Sequence, residues 1–434
     1  LYVRNADDDE ITPIIQAENG WQWDVEAAKW NEEGTLLLVR EIDKRELGAI
    51  TLTDEEGNTR KRSYTFMGEP LEKHQYYIVD IAAQTKIKID HGYEKPFIHA
   101  MAWHNGYAYL LQSDRMMQQL ELLKVATNGS FKPIITETSD TYIIGLNLGQ
   151  HYDYRLDDSN VVEFYEDKIL WTSERSGYRQ IYLYDLNGNL ITQLTSRAKN
   201  GIVEELSIIA NGWAYFSTFD INVGNTESLV DAKFYRVSLE SGAIQLITEG
   251  PVILGQLWTA DRDRFWIMHG DLDNIKLSEF NQEGKKIETT WEYTIKENEE
   301  FGFDPEYVWT MARDGKTQVG SAILKPVDFD PDNSYPVVEY IYGPPFYNQM
   351  PWNPFIRRVH QLQDLANNGF IIVITDAPGT EFRGRDFNRY TYGRLGQVEI
   401  DDHAHALEQL ARDRPYMDMT RVGIMGHSLS LIHI

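Results

Sequence analysis

The run Arg421-Val422-Gly423-Ile424-Met425-Gly426-His427-Ser428 decides how this chain is read. A short β-prone segment ends in Gly-x-Ser, at the point where an apolar strand turns sharply into a helix. Such a turn lifts one serine hydroxyl above the end of a sheet. It demands small flanking residues, because the backbone is strained and crowded there. The full pattern is G-x-S-x-G, and here it reads Gly426-His427-Ser428-Leu429-Ser430, with serine in place of the last glycine. Ser428 is the candidate nucleophile.

Working outward from that turn, strands and helices alternate. Residues 398–414 have a helical period that puts Ile400, Ala404, Leu407, Leu410 and Ala411 on one face. Residues 370–375 are a nearly all-apolar run of the kind buried on both sides in a parallel sheet. Residues 359–368 are helical and stop at Asn368-Gly369. Residues 336–341 form a buried strand, and 307–312 and 318–325 form two strands joined by a turn. From 301 to 434 this predicts the N-terminal part of a doubly wound α/β sheet that ends at the nucleophile turn.

Residues 1–300 read differently, as strand after strand separated by Glu33-Gly34, Asn105-Gly106, Asn128-Gly129, Asn187-Gly188, Asn211-Gly212 and Ser241-Gly242. These pairs tolerate positive φ in tight hairpins. One unit recurs: a strand with a polar end, a short turn, then an alternating strand. Tyr182-Leu-Tyr-Asp-Leu-Asn-Gly-Asn-Leu-Ile-Thr-Gln-Leu and Tyr235-Arg-Val-Ser-Leu-Glu-Ser-Gly-Ala-Ile-Gln-Leu-Ile are two copies. The spacing of roughly 40–60 residues is that of a four-stranded propeller blade, and about five blades are expected. That is fewer than a closed ring of this style usually holds, so upstream blades are expected to precede residue 1.

Composition narrows the function classes. The chain has 434 residues, 42% hydrophobic and 25% charged, with a formal net charge of −26. Binding of nucleic acid or an anionic membrane through bulk charge is excluded on that sign. No apolar run approaches the ~18 residues of a membrane span. With no cysteine, disulfides, thiolate catalysis and Cys-ligated zinc drop out together. The compartment stays open between periplasmic or secreted and cytoplasmic.

Several segments together resemble the prolyl oligopeptidase family of serine peptidases, in its dipeptidyl-peptidase-IV-like branch. Leu170-Trp-Thr-Ser-Glu-Arg-Ser-Gly-Tyr-Arg-Gln-Ile-Tyr-Leu-Tyr-Asp185 is similar to a recurring propeller segment of that branch. Tyr335-Pro-Val-Val-Glu-Tyr-Ile-Tyr-Gly-Pro-Pro345 resembles the entry into its hydrolase domain. Asp376-Ala-Pro-Gly-Thr380, Arg383-Gly-Arg-Asp-Phe387, Gly393-Arg-Leu-Gly396 and 416–428 follow in the family's order. The resemblance implies a β-propeller over 1–300 followed by an α/β-hydrolase domain over 301–434. It implies a cofactor-free, metal-free serine peptidase that cleaves short peptides after proline or a small residue. It names Ser428 as nucleophile, the backbone N–H of Leu429 as one oxyanion donor and the Tyr342 hydroxyl as the other. It also leaves room for homodimerisation of the intact protein. This chain departs from the family after Tyr342, where Gly343-Pro344-Pro345 replaces the usual Gly-Gly-Pro or Ala-Gly-Pro.

In this fold the triad runs Ser, Asp, His along the chain. His433 stands too close to Ser428 to be the base, and Leu429-Ser-Leu-Ile-His-Ile434 does not continue the family's pattern. The sequence is therefore expected to be cut at both ends and to be inactive alone. Two rivals remain: a non-catalytic propeller that binds peptides, with a decayed hydrolase, and an esterase or acylaminoacyl peptidase on the same fold. Other features take plainer readings. His403 and His405 beside Asp401 and Asp402 read as a solvated helix start rather than a metal site. Glu204-Glu205 read as surface strand residues rather than an amino-terminus clamp, Asn128 as a hairpin turn, and Arg383 and Arg385 as structural.

Overall fold

The computed structural model describes residues 1–4, 9–66, 68–91, 97–143, 161–219, 221, 224–226, 229, 231–248, 252–270, 274–294, 302–342, 348–350, 357–427 and 430. Before residue 300 the described residues form five four-stranded antiparallel sheets in succession. One is the meander Phe97–His104, Tyr107–Ser113, Gln119–Val125 and Phe131–Thr138. Three more span 162–193, 202–246 and 252–294. In the first sheet, of Gln22–Trp30, Leu36–Asp43, Lys73–Asp80 and Thr85–Ile89, the hairpin of Ala49–Thr53 and Thr59–Ser63 is inserted between the second and third strands.

Burial within a sheet follows composition. Gln180–Asp185 (QIYLYD) is almost wholly buried, whereas Leu190–Gln193 and Lys286–Thr294 are exposed throughout. Lys286–Thr294 carries the Lys, Glu and Thr that discourage an exposed last strand from pairing with another chain, whereas Leu190–Gln193 exposes Leu190 and Ile191. Turn chemistry fixes the hairpins. At Asn187-Gly188, Asp185 accepts the backbone N–H of Asn187 (2.8 Å) and Asn189 (2.9 Å), and Gly188 sits at φ 85°. Asn128 holds its hairpin through the N–H of Ser130 at 3.0 Å.

Packing divides the chain into two compact units, residues 1–171 with 184–191 and residues 172–183 with 192–434. In the first, Leu38, Tyr76, Ile78, Ile89, Leu110 and Leu123 form one core. Trp171 is fully buried there and its indole N–H donates to Glu137 at 2.9 Å. The second unit has a core that runs from Tyr215, Phe234, Phe265 and Phe280 to Ala322, Ile372 and Ile374.

That second core leans on a five-stranded sheet whose strands are β1 (Glu306–Met311), β2 (Gln318–Leu324), β3 (Tyr335–Ile341), β4 (Ile371–Asp376) and β5 (Met417–Gly426). Their order is β1-β2-β4-β3-β5. The first two pairings are antiparallel, and β4-β3 and β3-β5 are parallel. Helix α1 (Arg357–Asn367) covers one face, where Leu362 and Ala366 meet Ile372 and Ile374. Helix α2 (Val398–Arg412) covers the other, where Leu407 and Leu410 meet Ile371 and Val373. Cover on both faces is why β4 is buried at every position and shows no alternation.

Two expectations about α2 need correcting. Its buried face is rotated by about a residue: Glu399, Asp402, His403, Ala406, Leu407 and Leu410 point inward, and Ala404 is exposed. Nor is the helix start solvated at His403 and Asp402. Asp402 accepts the backbone N–H of Arg313 at 2.9 Å, and His403 bonds Glu339 on β3. Apolar residues alone set the expected phase, but specific partners on neighbouring segments draw these polar side chains inside.

Candidate active site

Three strands deliver the site's residues to one end of the sheet. In the parallel pairing of β3 and β5, Ile341 is opposite Gly426, so Tyr342 and His427 leave adjacent strands side by side. Carboxyl ends of strands in such sheets are where ligands bind. Tyr342 is half-buried. Ser428 and Leu429 lie outside the described residues, as do 343–345 and His433, but the flanks of Ser428 define the bend. His427 is exposed, Ser430 is buried, and the Ser430 N–H donates to the His427 carbonyl at 3.2 Å.

Gly426 explains why the turn is built from small residues. A Cβ at this position would collide with the Ser430 Cβ and stand 2.7 Å from the Ile341 carbonyl oxygen. Strand end and helix start therefore close on one another across the serine. With Ser430 in place of the pattern's second glycine, Gly426 must lack a side chain. Gly426→Ala is expected to destabilise the protein by about 1–3 kcal/mol. Gly423→Ala, whose Cβ would meet only Val338 at 4.0 Å, should be near neutral. Urea melts of both variants check this, and equal midpoints would contradict the crowding.

Asp376, at the matching end of β4, is buried and accepts the Gln349 N–H at 2.7 Å, anchoring the chain that returns after Tyr342. Burial pushes its carboxyl up to about 7, although Gln349, Met350, His403 and Arg383 all pull it down. The native state thus holds a proton that the unfolded chain releases near pH 4. Stability contributed by this group is full below about pH 4 and lost as pH rises through about 7. Asp376→Asn should gain on the wild type across that window, by on the order of a few kcal/mol at the plateau. Thermal melts from pH 4 to 8 check it; a difference independent of pH would contradict it.

The turn Glu174 to Arg179, in the third four-stranded sheet, clasps the segment after β4, inside the second compact unit. Arg389 pairs with Glu174 at 2.9 Å, Arg179 with Glu381 at 3.6 Å, and the Arg385 N–H donates to Gly177 at 2.8 Å. Phe219 stacks on Phe382 at 4.7 Å. Loss of water pushes the Glu381 carboxyl up to about 7 against the attraction of Arg179. Glu204 is half-buried, its carboxyl raised by burial, and Glu205 is exposed. Arg383 lies 4.0 Å over the Phe387 ring, near Trp309, and donates to the Gln318 carbonyl. Burial lowers it to about 10. These contacts give Arg383 a structural place. Sequence reasoning missed the clasp, since Glu174 and Arg389 stand 215 positions apart.

The described residues place Tyr342 and His427 at the ends of adjacent parallel strands. Among the described residues, no group of three or more His, Asp or Glu side chains is arranged to hold a metal ion. No helix among them is long and apolar enough to cross a membrane.

Known proteins resemble this chain in sequence and in fold. Residues 8–252 match the model of the dipeptidyl peptidase IV N-terminal region, and residues 357–429 match that of the prolyl oligopeptidase family. Mouse dipeptidyl peptidase 8 is 37% identical over 107 residues, covering 24% of this chain and 12% of that protein. A probable dipeptidyl-aminopeptidase B of Aspergillus oryzae is 27% identical over 224 residues, 48% of this chain and 23% of the relative. The structure of Porphyromonas gingivalis dipeptidyl peptidase 4 superposes with a TM-score of 0.83 at 18% identity, over 100% of this chain and 63% of that one. A putative dipeptidyl aminopeptidase IV from Bacteroides ovatus gives 0.79 at 19%, over 99% and 65%. The likeness establishes the fold, a β-propeller followed by an α/β hydrolase, and the chain spans under two thirds of those structures' length.

Proposed function

Because this chain belongs to the dipeptidyl-peptidase-IV-like branch of the prolyl oligopeptidase family, we propose that the protein carrying it is a serine peptidase that cleaves short peptides after proline or a small residue. The observation that supports this most is the register of β3 against β5, in which Ile341, the residue before Tyr342, is opposite Gly426. In this reading residues 1–300 are the propeller, and 301–434 belong to the hydrolase domain.

The chemistry follows from the residues. A general base takes the proton of the Ser428 hydroxyl as its oxygen attacks the scissile carbonyl. Negative charge moves onto the carbonyl oxygen, where the Leu429 N–H and the Tyr342 hydroxyl donate to it. The C–N bond breaks as the leaving amine is protonated, and an acyl-enzyme ester remains on Ser428. Water then attacks that ester and frees the serine. The −26 net charge favours approach of a substrate with a free ammonium group.

Chromogenic Xaa-Pro and Xaa-Ala dipeptide amides, given to the product of the complete gene, test the proposal. Turnover that requires a free amino terminus is expected. Cleavage confined to N-acylated substrates or to simple esters would replace it with the acylaminoacyl peptidase or esterase reading. Peptide binding without turnover would replace it with the binding propeller.

A further inference from the structure

A buried glutamate–histidine pair stands behind the strand that delivers Tyr342. Glu339, in the middle of β3, and His403, on α2, meet at 2.8 Å between carboxylate and Nδ1, with side chains 4% and 5% exposed. Apolar residues surround them on that face: Val337, Val373 and Leu407. On the same face Ser321 and Thr375 bond each other at 3.0 Å, and Thr375 also hydrogen-bonds Glu339. Burial raises the carboxyl of Glu339 and the histidine opposes that. Such a pair is a poor source of stability, because taking two polar groups out of water costs about as much as their hydrogen bond returns. Well-packed apolar residues would serve the core as well or better.

What the pair can supply is register. Side chains alternate along a strand, so a slip of one residue moves every side chain to the opposite face. Val337, Glu339 and Ile341 share the α2 face, and Val338, Tyr340 and Tyr342 share the other by alternation. Apolar residues occupy both faces of β3, with Val337 packed beneath α2 and Tyr340 in the opposite core. The hydrophobic pattern therefore tolerates a slip. Glu339 does not, since only one register puts its carboxylate against His403.

We propose that the Glu339–His403 pair is a positioning device that fixes the register of β3, so that Tyr342 is presented to the oxyanion on the face opposite α2. The inference rests on the reading of Tyr342 as an oxyanion donor. Neither residue touches substrate, and their effect runs through Tyr342 alone.

The test uses Glu339→Leu/His403→Leu, made together so that neither partner is left facing an apolar replacement, and Glu339→Gln/His403→Gln as a polar second pair. Each is measured beside Tyr342→Phe and in its background, in the complete gene product. The inference expects the apolar double variant to melt at or above the wild-type temperature. It expects kcat to fall at least tenfold with KM changed less than twofold. In the Tyr342→Phe background the same replacement should cost nothing further, and the Gln pair, which can still bond, should recover part of kcat. Tyr342→Phe losing activity while the apolar pair keeps full kcat would overturn the positioning role and leave the oxyanion reading standing. A silent Tyr342→Phe would overturn both. A kcat loss from the pair that persists unchanged in the Tyr342→Phe background would also overturn the inference, because the effect would then not pass through Tyr342.

Discussion

Ser428→Ala is expected to lower kcat for peptide hydrolysis by about 10⁴- to 10⁶-fold while KM changes little. The size follows from what the hydroxyl does. Without it no acyl-enzyme forms, and only binding and oxyanion stabilisation remain to speed attack by water. KM should hold because alanine removes one oxygen and leaves the substrate's other contacts in place. The fold should hold too, since His427 is exposed and the backbone bond from Ser430 to His427 does not involve the serine side chain. An active Ser428→Ala enzyme would remove the basis of the proposed chemistry. Steady-state kinetics on a proline dipeptide amide, with circular dichroism as a check on folding, decides it.

Tyr342→Phe is expected to cost about 10²–10³ in kcat, the usual loss when one oxyanion donor is removed. A donor aimed at the developing oxyanion strengthens in the transition state more than in the ground state, so the loss should appear in kcat rather than KM. Phenylalanine keeps the ring and its packing, so melting temperature should scarcely move. The size is bounded by the second donor, the Leu429 N–H, which remains. A loss confined to KM would mark Tyr342 as a substrate-binding residue instead. No loss at all would mean that the phenol is merely packed at a strand end.

The fold was legible in the sequence wherever one physical signal ruled a segment. The run 370–375 is too uniformly apolar to face water, and it became the fully buried β4. Hairpin glycines marked the meanders, and about five blades were expected where the described residues form five four-stranded sheets. At Gly426 the expected need for a small residue has a physical cause, since a Cβ there would collide with Ser430. Legibility failed where partners are remote. Periodicity put Ala404 inward and left His403 in solvent, because counting apolar residues cannot foresee that Glu339, 64 positions earlier, draws the histidine inside. A single charged residue within Val337-Val-Glu-Tyr-Ile341 was the available hint, since a lone carboxylate in a buried strand needs a partner. The clasp of Glu174 and Arg179 on Arg389 and Glu381 left no such trace, because each of those residues reads as an ordinary surface charge.

The central claim is that Ser428 is the residue acylated during turnover, and covalent labelling tests it most directly. The complete gene product would be treated with a fluorophosphonate, digested and mapped by mass spectrometry. The account expects one phosphonyl group per chain on the peptide containing Ser428, with activity lost in step with labelling and no labelling in Ser428→Ala. An enzyme that hydrolyses dipeptide amides while Ser428 stays unmodified, or that is inactivated by an adduct on another residue, would contradict it.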